Sequence, residues 1–160
     1  KMLDCRSRQR QNGVEGILLG ECSDTKISQS TRSDDMKLGA FSISLPVKDI
    51  TASMAFYAKL GFAPKMPLEE GAKWVILVNP DDHIIGLFEG MFDQPMLTFN
   101  PGWDQAAGAV DPFDDVRALH ALITADGVEV VQKTLDAETG PGSFVVVDPD
   151  GNPILIDQHR

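Results

Sequence analysis

The 160-residue chain has few cysteines, few basic residues over most of its length, and no long apolar run. Its two cysteines, Cys5 and Cys22, both precede residue 36, so neither a disulfide framework nor a cysteine-based zinc site is available to the remainder. No apolar stretch approaches the roughly 20 residues that span a bilayer. We also expect no signal peptide, because Glu15 and Gly16 interrupt the only early apolar stretch. These absences favour a cytoplasmic globular protein that does not enter a membrane.

Basic charge is scarce after residue 35. Residues 1–35 carry six Lys/Arg and six Asp/Glu, whereas residues 36–160 carry eight basic and eighteen acidic residues and therefore the whole net charge of −10. An acidic domain without a Lys/Arg cluster is a poor partner for the phosphate backbone, so we expect no nucleic-acid binding. The charge weakly favours cationic over anionic ligands. Solubility alone also explains it.

The chain divides at residue 36. Residues 1–35 are rich in Ser, Arg, Gln, Asp and Thr and show little periodicity. We expect a disordered leader, a remnant added for expression, or an over-extended start there, with Met36 as the natural first residue. Residues 36–160 are expected to form a single domain, made of two modules over 38–90 and 95–158.

The two halves of this domain repeat one order of predicted elements. Alternation of apolar and small residues predicts a strand over 37–47, with Phe41, Ile43 and Leu45 under helices and Ala40, Ser42 and Ser44 opposite. Asp49 or Thr51 is expected to cap the helix that follows. The remaining predicted elements are strands near 63–66 and at 73–78, 83–88, 96–100, 128–132, 143–147 and 153–157, and a helix over 114–125.

Two segments carry a family resemblance. The first is Phe41–Asp49, which runs directly into the helical pattern, and the second is Phe144–Asp157, two apolar strands joined by Asp-Pro-Asp-Gly-Asn. Together they resemble the opening and closing elements of the vicinal oxygen chelate superfamily, which includes glyoxalases, bleomycin-resistance proteins and extradiol dioxygenases. The resemblance implies an α+β fold in which two βαβββ modules form a curved mixed sheet with a concave cleft.

The same resemblance implies a metal site, but the expected ligands are missing. Metal-dependent members carry His or Glu/Gln at one concave position on each of four strands. Carried over to this sequence, the four positions are Ser42, Gly86, Leu97 and Leu155. None of these offers the imidazole or carboxylate that such a metal needs, so we expect no metal and no cofactor. The three histidines share no spacing: we expect His120 to pack on the second helix, and His83 and His159 to lie at the surface.

Aromatic and amide residues suggest a ligand pocket instead. Each one alone is better explained as a core or dimer-contact residue, but the set favours a flat, apolar or cationic ligand in the cleft. The expected ligand-binding residues are Ser42, Trp74, Phe88, Phe99, Asn100 and Trp103.

Three functions remain open from the sequence. The first is a small-molecule-binding protein of the bleomycin-resistance type that lacks the usual metal ligands, and the resemblance implies that it forms a homodimer. The second is a metal-dependent lyase or isomerase of the glyoxalase type, or a dioxygenase. The third is an interaction domain whose cleft is filled by its own side chains. Whether any reaction is catalysed stays undecided.

Overall fold

The computed structural model describes residues 36–160, and their elements follow the order β–α–β–β–β twice. The first set is β1 (Ala40–Val47), α1 (Ile50–Ala58), β2 (Ala63–Pro64), β3 (Trp74–Val78) and β4 (Ile84–Glu89). The second set is β5 (Met96–Asn100), α2 (Val116–Ala125), β6 (Val130–Thr134), β7 (Gly142–Val147) and β8 (Pro153–Gln158). The predicted α+β order is confirmed, including the short strand near 63–66. The expectation for residues 1–35 lies outside the described residues.

The eight strands form one open, curved, mixed sheet in the order β2-β3-β4-β1-β5-β8-β7-β6. Each set contains one parallel pair, β1 with β4 in the first and β5 with β8 in the second. The antiparallel pair β1–β5 joins the two sets. The sheet therefore has β1 and β5 at its middle and β2 and β6 at its edges.

Both helices pack on the same face of this sheet. Residues paired directly across neighbouring strands share a face, so the faces can be followed from strand to strand. Next to α1, Leu87 pairs with Leu45 and Val75, and next to α2, Ile156 pairs with Phe99 and Phe144. Two core clusters result, with Ile50, Val75, Leu77 and Leu87 in one and Val116, Leu119, Phe144, Val146 and Ile156 in the other.

Side chains of Asp cap both helices. The Asp49 carboxylate accepts a hydrogen bond from the Ala52 amide at 2.9 Å, so Asp49 rather than Thr51 is the cap of α1. Asp115 accepts from the Arg117 amide at 2.8 Å at the start of α2. Each cap satisfies a backbone N–H that the first helical turn leaves without a partner. Neither helix in this part of the chain is long and apolar enough to cross a membrane.

The burial of β1 differs from the expectation. Phe41 and Ile43 do face the helix side, but they remain 40% and 37% exposed, whereas Ser42 and Ser44 on the other face are buried. The reason is the spacing of the helices: α1 packs mainly against β4 and α2 against β7 and β8, which leaves the central strands between them uncovered. We call this uncovered apolar surface (Phe41, Ile43, Leu97 and the partly covered Phe99) the convex strip.

Candidate functional site

The concave face, away from the helices, carries the predicted ligand positions. Ser42 pairs with Thr98, and Thr98 pairs with Leu155, so these three side chains form a row across β1, β5 and β8. Gly86 pairs with Ser44, which lies on the same face of β1 two residues after Ser42. The prediction for β5 was wrong by one residue: Leu97 faces the helix side, and Thr98 occupies the concave position.

The middle of the concave face is closed by its own side chains. The Ser44 and Thr98 hydroxyls are buried and lie 2.8 Å apart, within hydrogen-bond distance. Beside them the Phe88 ring lies over Gly86, so that a β-carbon added to Gly86 would come within 2.5 Å of the ring. Phe92 packs against Phe88 with ring centroids 5.2 Å apart. Phe88 thus lies on the predicted face. Its ring occupies the space that a metal-ligating side chain at position 86 would need.

One end of the concave face has a groove. It lies between the outer strand β3 and the loop 66–72, has a volume of about 170 Å³, and is comparable to cavities of roughly 150 Å³ that take up a benzene ring in other proteins. Trp74, one of the predicted ligand residues, lines it and is 45% exposed. The other lining side chains include Met66, Leu68, Glu69, Ala72 and Ile76.

Phe99 does not belong to this face. It pairs with Phe41 and Ile156, and its ring lies 5.1 Å from that of Phe41. Its side chain packs against the core cluster beneath α2. The prediction that Phe99 lines the concave cleft placed it on the wrong side of the sheet.

The other end of the concave face is polar. Asn100 donates from its side chain to the backbone oxygen of Asp157 at 2.9 Å. Asp157 follows Leu155 on the same face of β8, and its Oδ2 lies 3.3 Å from Nε2 of His159. The His159 ring stacks on Trp103, with centroids 4.6 Å apart and planes only 9° from parallel. A carboxylate, an imidazole and an indole therefore meet at one place.

Hydrogen bonds hold the loop that carries Trp103. The Asp104 carboxylate accepts from the amides of Ala106 and Gly108, and Trp103 forms a backbone bridge with Ala109. The Gln105 side chain pairs with both the N–H and the C=O of Phe41, where β1 extends beyond its partner β4. At the base of the loop, Arg160 donates to the Asp111 carboxylate and to two loop carbonyls. Trp103 is thus positioned by a loop with fixed ends.

Burial acts on the charge of Asp157. Its side chain is only 33% exposed, and this desolvation raises the pKa of the carboxyl above its usual value of 3.8. The neighbouring His159 works in the opposite direction, because a positive imidazole favours the carboxylate. Burial is the larger of the two effects.

The sequence matches a family model described as the Glyoxalase/Bleomycin resistance protein/Dioxygenase superfamily over residues 39–156. The chain belongs to this superfamily. No curated protein matches it.

This superfamily member is similar to several solved structures, one of them with a TM-score above 0.5. The "NAD-dependent benzaldehyde dehydrogenase from Legionella pneumophila" is similar with a TM-score of 0.55 and 19% identity, over 75% of this chain and 99% of that one. A "glyoxalase/bleomycin resistance protein/dioxygenase superfamily member from Vibrio splendidus 12B01" has a TM-score of 0.48 and 18% identity, over 74% and 97%. A methylmalonyl-CoA epimerase from Streptomyces coelicolor has 0.49 and 17%, over 77% and 99%.

The side chains at the four strand positions where the resemblance predicts metal ligands do not suit a divalent metal. The four concave positions hold two hydroxyls, a glycine and a leucine, namely Ser42, Thr98, Gly86 and Leu155. Neutral alcohols and an alkyl group are not the imidazole and carboxylate donors of such centres. Within residues 36–160 no group of three or more His, Cys, Asp or Glu could hold a metal ion.

The predicted ligand residues do not converge on one pocket. Trp74 and Phe88 pair at one end of the strands, while Asn100 and Trp103 lie at the other. On β1, Phe88 pairs with Pro46 and Asn100 pairs with Ala40. These two positions are six residues apart, or roughly 20 Å at about 3.3 Å per residue. A larger groove of about 670 Å³ lies between α1 and the end of β1, on the helix side.

Sequence reasoning missed Asp157 and His159. His159 lies at the surface, as expected, but its stacking on Trp103 was not predicted, and Asp157 was not singled out. A signal for Asp157 was present, since strand alternation places it on the same face as Leu155. For His159 there was none, because its stacking depends on how the loop 101–111 folds back toward β8.

Proposed function

We propose that this superfamily member is a small-molecule-binding protein that holds an aromatic or cationic ligand on its concave face without the usual metal. The observation that carries the proposal is the groove at β3, where an exposed Trp74 is combined with apolar walls and one carboxylate. An indole face attracts both flat rings and organic cations. Glu69 at the groove wall would add electrostatic preference for a cation.

The charge of the domain supports the same ligand class. The excess of ten acidic residues in residues 36–160 raises the local concentration of cations over that of anions. A metal-dependent lyase, isomerase or dioxygenase remains the alternative, and it requires donors at the four strand positions that differ from those present. We also propose that the protein is cytoplasmic.

We further propose that the protein is a homodimer, formed through the convex strip. Every side chain of this strip is apolar, and three of them are 37–40% exposed. Contiguous apolar surface of this kind marks interaction sites more often than free surface. The chain is acidic, so two copies associate best through surfaces that do not bring carboxylates together. The side chains of the convex strip carry no carboxylate.

A second candidate function is favoured by the packing of Phe88. Because the Phe88 ring lies over Gly86 and packs against Phe92, the cleft there is filled from within. A domain whose cleft is closed in this way could act in protein interaction alone. In that case neither end of the concave face binds a small molecule.

Fluorescence of a single tryptophan tests the proposed function. The chain has two tryptophans, so Trp103→Phe leaves Trp74 as the only one. We expect saturable changes of its emission on titration with benzyltrimethylammonium, and weaker binding of the neutral benzyl alcohol. Glu69→Gln should reduce the preference for the cation without abolishing binding of the ring.

Two results would contradict the proposal. If Trp74 responds to neither compound while the variant remains folded by circular dichroism, the groove is not a ligand site. If instead one divalent metal per chain binds tightly and is required for ligand binding, the metal-dependent alternative replaces the proposal.

A further inference from the structure

We propose that Asp157, Ser143, Trp103 and His159 form a binding subsite for an alkylammonium or alkylguanidinium group at the β8 end of the concave face. The subsite rests on the proposed function, since it assumes that this face takes a ligand, and it gives that ligand a chemical class. It is separate from the groove at Trp74, which lies at the other end of the strands.

The carboxylate of Asp157 is the group that recognises the cation. Its side chain is two-thirds buried, yet among residues 36–160 the only side chain that forms an ion pair or hydrogen bond with the carboxylate is His159, through Oδ2. A half-buried carboxylate is stabilised by hydrogen bonds and by positive charge, and Oδ1 here receives neither from the described residues. An N–H cation at Oδ1 would supply both at once.

Three cationic side chains of the described residues have partners other than Asp157. Arg160 pairs with the Asp111 carboxylate and stacks over Phe113, and Arg117 pairs with Asp115. Lys65 reaches the backbone oxygen of Gln105. Among residues 36–160, no Lys or Arg side chain pairs with Asp157, so an outside cation would not have to displace one of them.

The surroundings of Asp157 suit such a group. Ser143 lies directly opposite Asp157 on β7, and no hydrogen bond from any described residue occupies its hydroxyl, which can accept a second N–H. The Trp103–His159 stack stands beside the carboxylate as a flat wall against which an alkyl chain can pack. Because the loop carrying Trp103 is fixed by Asp104, little ordering is needed on binding.

The test uses the folded chain with Trp74→Phe, in which Trp103 is the only tryptophan. The probes are butylguanidinium and its neutral isostere butylurea, followed by Trp103 fluorescence and by its indole N–H resonance. We expect butylguanidinium to bind saturably and at least tenfold more tightly than butylurea, since a charge-assisted hydrogen bond distinguishes them. Asp157→Asn, which preserves shape, should remove this preference, and Ser143→Ala should weaken binding by a smaller factor.

The matched control is Asp93→Asn, at an exposed carboxylate in the segment between β4 and β5, which should leave the Trp103 titration unchanged. Equal affinity for butylguanidinium and butylurea in the protein with Asp157 intact would overturn the inference without any further variant. An unchanged preference in folded Asp157→Asn would overturn it as well. If Trp74 responds to benzyltrimethylammonium while Trp103 responds to neither butyl compound, the subsite fails and the proposed function stands; if neither tryptophan responds to its probes, both fail.

Discussion

At the scale of single residues, the Ser44 and Thr98 hydroxyls form a buried pair in the middle of the concave face. Ser44→Ala would leave the Thr98 hydroxyl buried without its partner, which costs about 1–3 kcal/mol. We expect the free energy of unfolding in urea to fall by that amount. In the double variant Ser44→Ala/Thr98→Val both partners are apolar, and most of the loss should be recovered. Equal stability of Ser44→Ala and the parent protein would show that the pair contributes nothing.

The ionisation of Asp157 gives a second prediction at this scale. Because burial raises its pKa and His159 lowers it, His159→Gln should raise the pKa further. Carbon-13 NMR of the Asp157 carboxyl as a function of pH measures this directly. A midpoint that falls in His159→Gln would contradict the assigned contact.

The sign of the pH effect on stability follows from the same shift. Between the ordinary value of 3.8 and the raised one, the folded state holds more protons than the unfolded state. The contribution of Asp157 to stability is therefore lost as the pH rises through that window. Asp157→Asn should flatten this part of the stability curve, which urea titrations at several pH values would show.

At the residue scale, the sequence does not always decide which face of a strand a side chain occupies. The sequence of β5, Met-Leu-Thr-Phe-Asn, has apolar residues on both faces, so its pattern does not decide which face holds Thr98. The pairing of Thr98 on β5 with Ser42 on β1 decides this. Such pairing between strands distant in the chain cannot be derived from one sequence. Ser42, Trp74, Phe88 and Asn100 lie on the concave face, whereas Phe99 lies on the helix side.

At the scale of elements, Gln158 joins β8 to the start of α2. It is 1% exposed, accepts a hydrogen bond from the Val116 amide at 2.7 Å, and donates to the cap residue Asp115 and to the Gly140 carbonyl. Partial burial acts to raise the pKa of Asp115, but hydrogen bonds from Arg117 and from the Gln158 side chain together lower it below its usual value. The helix start and the last strand are thus fixed to one another by a single side chain.

Replacing the Gln158 side chain should weaken the connection between β8 and the start of α2. Gln158→Ala removes several buried hydrogen bonds and leaves a cavity, so we expect a loss of roughly 2–4 kcal/mol in urea unfolding. The same substitution at the exposed Gln132 is the control and should stay within about 0.5 kcal/mol. Similar losses for the two variants would contradict the role given to Gln158.

The elements themselves were largely predictable because their signals are local. Alternation in β1, turn residues between β7 and β8, and the Asp caps of both helices each lie within a few residues of one another. The role of Gln158 was not predictable, since its partners at Asp115 and Val116 are more than forty residues away.

At the scale of the whole molecule, the convex strip predicts self-association. We expect the parent protein to sediment as a dimer and Leu97→Glu to sediment as a monomer, because a carboxylate at the centre of the strip would be buried without a partner. Val131→Glu, at an equally apolar but separate exposed position on β6, should remain dimeric. A monomeric parent protein at its highest soluble concentration would contradict the proposed interface.

The overall architecture could be predicted because two distant motifs, at the first and the last strands, both pointed to the same fold. The shape of the concave face could not, since Phe88, Phe92 and the loop 101–111 fill or border it through contacts that no local pattern shows. This is why the expected single cleft is replaced by a groove at Trp74 and a polar end at Asp157, separated by a closed middle.

Calorimetric titration of residues 36–160 with nickel, zinc, manganese and iron(II) most directly tests whether the concave face works without the metal of its superfamily. Hydroxyls at Ser42 and Thr98, with Gly86 and Leu155, predict no tight and stoichiometric binding of any of the four ions. One tightly bound ion per chain, lost on Ser42→Ala or Thr98→Val, would contradict this and place metal chemistry at the centre of the fold.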